Sequence, residues 1–204
     1  MLYELLLSLH LKLTQPQILG ASSTKLASHS ISLEQRWENQ FVNDVLKDNI
    51  LLTLYYLDNQ ITDKSQIDWP KIRQPLKVGF ALKPAETFAF HQNILPDYSA
   101  SLVKTTNAYF IGSEGFKSDG RIIGDGVCHL ASLMYWSAKE AGLTAYSPSD
   151  HHFAKINQIP KQYGVGILSS TPLGNLYITN SLEKPVTFEF DFDGQNLTLT
   201  VTTQ

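Results

Sequence analysis

The only cysteine among the 204 residues is Cys128. It lies in the run GDGVCHLAS, residues 124–132. Glycines at 112, 115, 120, 124 and 126 lead into it, and a helical pattern follows from it. A thiol at a helix start faces unpaired amide protons and the positive end of the helix dipole, and both favour thiolate. Gly124 and Gly126 would let a ligand approach the backbone closely, with Asp125 between them. A cysteine nucleophile also requires a base, and His151 and His152 follow 23 and 24 residues later. In a strand these two would point to opposite faces, so at most one can meet the thiol. His129 projects about 100° away from Cys128 around the helix. It reads as a packing or surface residue. The competing reading makes Cys128 a small buried apolar residue at a tight corner, and both readings stand at this level.

Other chemistries have less support. No CxxC or HExxH pair accompanies the Asp125, Cys128, His129, His151 and His152 cluster, so no metal is expected. Neither GxGxxG nor GxxxxGK occurs in the glycine run, and no cofactor fingerprint emerges elsewhere. Residues 181–184, SLEK, match SxxK but run into Pro185, which makes a turn rather than a helix start. Residues 196–198, NLT, match a glycosylation acceptor at a hairpin turn. Sixteen basic against 19 acidic residues give a net charge of -3, and no Lys/Arg run is present. Nucleic acid is therefore not an expected partner. The leucine-rich lead, residues 1–13, is too short for a membrane span and carries Glu4. Residues 18–23, ILGASS, resemble a small-residue cleavage site. The lead reads either as a remnant signal segment or as a surface amphipathic helix.

The elements that must position the cluster are read from periodicity. Apolar residues at 43% suit a well-buried fold without disulfide staples. Residues 22–32, SSTKLASHSIS, read as a flexible linker, giving a lead and linker over 1–31 and a single domain over 32–204. Ser32 and Gln35 match a capping box, followed by a helix with Trp37, Phe41, Val42, Val45 and Leu46 on its apolar positions. Residues 50–57 read as a strand or as more of that helix. Residues 76–81, 144–146, 152–156, 164–168 and 176–178 read as short strands. Residues 128–141 form a helix that is apolar nearly all round, hence central. Val186, Phe188, Phe190 and Phe192, then Leu197, Leu199 and Val201, alternate with polar residues around a turn at 193–196, which predicts a β-hairpin. The fold class is α+β, a central helix on an antiparallel sheet. A helix opening on cysteine with histidine brought alongside it is loosely like papain-like and transglutaminase-like thiol enzymes in arrangement.

The order of these signals resembles the VanW-like family, named for an accessory gene of vancomycin-resistance clusters. The resemblance rests on residues 82–90 (LKPAETFAF), 124–143 (GDGVCHLASLMYWSAKEAGL), His151, residues 175–180 (NLYITN) and the closing hairpin. The family pattern reads Gly-Gly-Gly-[Ile/Val]-Cys-Gln, with a His nine residues after the Gly of Gly-Leu. Here that histidine is His151. Asp125 replaces the middle Gly and His129 the Gln, while Tyr163 and Asn175 stand where the family carries Asp. The resemblance implies a bacterial cell-envelope or extracellular setting, a cytoplasmic one being left open, and peptidoglycan or its stem peptides as partner. Two functions follow. One is a non-catalytic binding or scaffolding module, with the aromatic set Phe88, Phe90, Tyr98, Tyr109, Phe110 and Phe116 read as core first and ligand platform second. The other is a thiol hydrolase or acyltransferase in which Cys128 attacks, His151 takes the proton, Asn175 orients the imidazole and amides near 127–129 hold the oxyanion. Gly124, Asp125, Gly126, His129 and His152 would then contact the ligand.

Overall fold

The computed structural model describes residues 23–121, 123–152 and 154–204. The leucine-rich lead and nearly all of the cleavage-like run 18–23 lie outside the described residues. In chain order the elements are β1 (Thr24–Ser32), α1 (Gln40–Leu57), α2 (Trp69–Ile72), β2 (Leu76–Leu82), β3 (Thr87–Ala89), β4 (Leu102–Thr105), α3 (Val127–Glu140), β5 (Thr144–Tyr146), β6 (Tyr177–Thr179), β7 (Val186–Phe192) and β8 (Asn196–Thr203). They make two four-stranded sheets, in the orders β1-β8-β7-β2 and β4-β3-β6-β5. The first is antiparallel throughout, and the second contains the parallel pair β3 and β4. The class is α+β.

The C-terminal hairpin follows the alternation. Val186, Phe188, Phe190, Phe192, Leu197, Leu199 and Val201 are all fully buried, each stabilising by roughly 1.5–3 kcal/mol of removed apolar surface. Phe80 of β2 stacks between Phe188 of this sheet at 4.9 Å and Phe88 of the other at 4.8 Å, joining the two sheets. The expected central helix is α3. Leu130, Ala131, Leu133, Met134 and Ala138 are buried, and it packs against β1, β8, β5 and α1.

The expected linker is instead strand β1, paired along its length with β8. Its serines and threonines misled because they face solvent. Ser28 meets Thr200 and Ser30 meets Thr198 across the pair, each at 3.0 Å, while Ala27 and Ile31 point into the core. The folded body thus includes residues 24–31. The capping box at 32–35 is also absent as a helix start: Ser32 Oγ accepts from the Glu34 amide at 3.2 Å. The helix begins eight residues later, where Asn39 accepts from the Val42 amide at 3.2 Å. Residues 50–57 continue that helix.

Two expected strands do not form. The described part of 152–156 is turn and coil, and 164–168 makes only isolated bridges, Asp150 with Val165 and Leu168 with Gly174. Pro160 separates the two segments and Pro172 follows the second, which interrupts any continuous ladder.

The strand role of β1 has a direct test in Ile31→Ala. Urea unfolding should show a loss of about 2–5 kcal/mol, as for a buried large-to-small change. A change within about 0.5 kcal/mol, the range of exposed positions, would restore the linker.

Candidate functional site

The glycine loop is held by the buried interior of α1. Asn49 is fully buried. Its Nδ2 donates to the carbonyls of Lys117 at 3.0 Å and Asp125 at 2.8 Å, and its Oδ1 accepts from the Lys117 amide at 2.8 Å. One side chain therefore stitches the interior of the loop to its end. Asp48, one position earlier, pairs with Arg73 at 2.8 and 2.7 Å and with Lys117. Gly126 sits on the helix at φ +100, where a Cβ would lie 2.5 Å from the Leu46 carbonyl oxygen. At Gly124, φ is +85 and a Cβ would lie 2.8 Å from the Phe110 carbonyl oxygen. Both glycines line the cleft described below, but their missing side chains are required by the chain's own packing.

Gly126 is the N-cap of α3, which places Cys128 in the first turn. Ser132 registers that turn against a distant segment. Its hydroxyl donates to the Cys128 carbonyl at 2.7 Å and accepts from the Val165 amide at 2.9 Å. Two residues further, the Ile167 amide donates to Cys128 Sγ at 3.4 Å. Burial pushes the thiol up from 9.0 to about 11, with the charge of Asp125 adding to it, against the smaller help of the Ile167 amide. The helix start does not produce the expected thiolate, because removing the sulfur from water outweighs the dipole. The oxyanion donors are also reduced, since the Val127 and His129 amides are spent on the Gly124 and Gly126 carbonyls at 3.3 and 2.9 Å.

Of the two adjacent histidines, His151 shares a cleft with Cys128 and His152 does not. His151 is buried. Its amide donates to the Gly164 carbonyl at 3.1 Å and its Nδ1 lies 3.2 Å from the Ala154 carbonyl. It lines both the Cys128 cleft and a neighbouring cavity of about 500 Å³. His152 faces only that second cavity and pairs with Asp150 at 3.3 Å. His129 is buried, with its ring edge-on to that of His151 at 6.3 Å. Burial, then Arg36 and His151, depress its pKa from 6.5 to about 3, so it is a neutral imidazole at pH 7.

Asn175 is committed elsewhere. Its Oδ1 accepts from the amides of His91 at 3.2 Å and Leu176 at 2.9 Å. Its Nδ2 faces His91 Nδ1 at 3.2 Å, the His91 carbonyl at 3.1 Å and the Asn93 carbonyl at 2.9 Å. Both lone pairs and both protons are used, which leaves nothing to orient His151. Asn175 joins the end of β3 to the start of β6 through His91, which lies 2.8 Å from the Gly174 carbonyl through Nε2. The expected Cys128, His151 and Asn175 set is therefore reduced to its first two members as residues of one cleft.

That cleft has a volume of about 800 Å³. Asp125, Cys128, His129 and His151 contribute to its polar part, together with Asp119, Arg121 and Asp150. Trp37, Tyr109, Ile111, Ile123 and Leu168 contribute large side chains that are 42–59% exposed. Of the aromatic set considered earlier, Phe88, Phe90, Phe110 and Phe116 are core, and Tyr98 stacks on Tyr177 at 4.1 Å. Tyr109 is the exposed cleft member. Trp37 and Leu168 escaped sequence reading because one sits on an apparent helix face and the other in an apparent strand. Asp125 is raised from 3.8 to about 6, by burial first and then by Asp119 alongside it. Among the described residues, no three His, Cys, Asp or Glu side chains converge as a metal site would require. None of their helices is long and apolar enough to cross a membrane.

Two outcomes follow. Alkylation of Cys128 by iodoacetamide should report an apparent pKa near 11, with a thiolate fraction at pH 7.5 about a hundredfold below that of an ordinary cysteine. A midpoint at or below 9 would refute the desolvated thiol. For Asp125 the folded state disfavours the charged form, so the penalty is absent below 3.8, grows up to about 6 and is full above it. Asp125→Asn should therefore raise the melting temperature at pH 8 and lose that advantage as pH falls towards 4. An advantage independent of pH would contradict the assignment.

No curated protein and no solved structure matches the chain. The family model described as VanW like protein matches residues 77–202. This stretch is more than half of the chain and runs from β2 through the glycine loop, Cys128 and His151 to the closing hairpin. The chain belongs to the VanW-like family.

Proposed function

We propose that this chain is a binding module of the bacterial cell envelope whose cleft takes peptide stems of peptidoglycan. The observation that carries the reading is the cleft itself. Five of the exposed large apolar side chains, Trp37, Tyr109, Ile111, Ile123 and Leu168, line one concavity that also contains buried polar groups. Exposed apolar surface gathered around a few convergent polar groups is the usual composition of a ligand site. A volume of about 800 Å³ falls within the range of pockets that enclose a small peptide-sized ligand. The envelope setting and the stem-peptide ligand are what the resemblance to the VanW-like family implies, and they are part of the proposal.

The alternative is a thiol hydrolase or acyltransferase, favoured by Cys128 and His151 lining the same cleft. Against it stand the raised thiol pKa and the commitment of Asn175 to His91. Binding without turnover is the better-supported reading.

Calorimetric titration with soluble muropeptides separates the two. Saturable binding is expected, weakened about tenfold or more by Trp37→Ala as for an aromatic anchor. Cys128→Ser should bind as the unaltered protein does, with no product formed by either. Failure to bind any wall fragment would sink the proposal, and product release abolished by Cys128→Ser would transfer the function to the thiol enzyme.

A further inference from the structure

Resting on the stem-peptide reading, we infer that the cleft floor at His129 receives the free terminal carboxylate of the bound peptide. His129 lines the cleft, is only 6% exposed, and its Nδ1 has no hydrogen-bond partner among the described residues. A buried polar atom left unpaired costs about 1–3 kcal/mol, so a partner for this nitrogen would stabilise a complex.

The surroundings select an anion. Arg36 is fully buried and donates to the Ser32 carbonyl at 2.7 Å, the Asn157 carbonyl at 2.9 Å and Gln158 Oε1 at 2.5 Å. All three acceptors are neutral. Burial lowers the guanidinium only to about 10, so a full positive charge remains at neutral pH with no carboxylate among these partners. This charge acts on His129, as does His151. The floor also lies at the N-terminal turn of α3, whose dipole adds in the same sense. The Val127 and His129 amides are already used within the loop, so an anion there gains from an added side-chain donor. The Nδ1–H tautomer of a neutral His129 supplies one.

Asp125 makes the site respond to pH. It faces Asp119, Arg121 and Cys128, while His129 faces Arg36 and His151. Above about 6 the Asp125 carboxylate is ionised and opposes a second anion in the cleft. Below that value it is neutral, and the positive field of Arg36 acts without that opposition. A carboxylate at His129 also draws a proton towards the imidazole. Both effects favour binding as pH falls through 6, until the ligand's own carboxylate protonates near 4.

The test titrates the full chain with a purified stem pentapeptide and with its terminal carboxamide, by calorimetry at pH 5.5 and 7.5. The acid should bind about tenfold or more tightly than the amide at pH 5.5, as expected for a charge-assisted hydrogen bond, and the preference should narrow at pH 7.5. His129→Phe should bind both forms alike, whereas His129→Asn, which keeps a polar group near the Nδ1 position, should retain part of the preference. The His129 ring resonances, followed by NMR, should shift with the acid and not with the amide, which locates the contact even where a variant does not fold. Equal binding of acid and amide by the unaltered chain, unmoved ring resonances, or a preference that survives His129→Phe would each overturn the inference while leaving stem-peptide binding standing. Binding of neither form would overturn both.

Discussion

The side-chain amide of Asn49 is the joint on which the site depends. It lies inside α1, fully buried, where an unpaired amide would cost several kcal/mol and where water cannot supply the partners. The glycine loop satisfies it from two points, at Lys117 and Asp125. The neighbouring polar residues of the same helix behave alike. Asn43 accepts from the Arg36 and Trp37 amides and donates to the Leu33 carbonyl, and Asp48 holds Arg73 and Lys117. A helix that packs its apolar residues into the core also uses its buried polar ones to fasten the loops that bound the cleft.

This fastening determines the chemistry of Cys128. Because the loop is tied to α1, Gly126 comes to rest on the Leu46 backbone and α3 starts from there. Ser132 then sets α3 against Val165, which brings the Ile167 backbone over the sulfur. A helix start favours thiolate by a modest dipole interaction, and the Ile167 amide adds a weak hydrogen bond. Desolvation works in the opposite direction and is larger, leaving a net rise of about two pKa units, from 9.0 to about 11. The residue that first suggests a nucleophile is thus held as a thiol by desolvation, against the pull of an amide 39 residues away.

Much of the scaffold was legible because it rests on local periodicity. The alternating phenylalanines of the hairpin and the all-round apolar face of α3 each specify both an element and its burial. Legibility failed where composition and environment diverge. Strand β1 is rich in serine and threonine, the chemistry of linkers, yet at an edge position these residues are the solvent face of a sheet. Ser32 and Gln35 have the spacing of a capping box, but Asn43 holds the backbone there in a turn, so the helix starts at Gln40 instead. At the site, residue type and spacing point to Cys128 with His151 or His152, the family resemblance singles out His151, and Cys128 and His151 line one cleft. Asn175 was assigned to the wrong partner because His91, its actual one, is 84 residues distant.

The sequence by itself determined the α+β class, the hairpin, the central helix, the family and the two residues Cys128 and His151 that share the cleft. These depend on side-chain periodicity and short-range motif order, which are written along the chain. Tertiary structure alone decided the state of the thiol, the separation of His152 from Cys128, the saturation of Asn175, and the gathering of Trp37, Tyr109, Ile111, Ile123 and Leu168 in one cleft. Those properties are set by desolvation and by hydrogen bonds between segments far apart in sequence, and neither is defined until the chain has closed on itself.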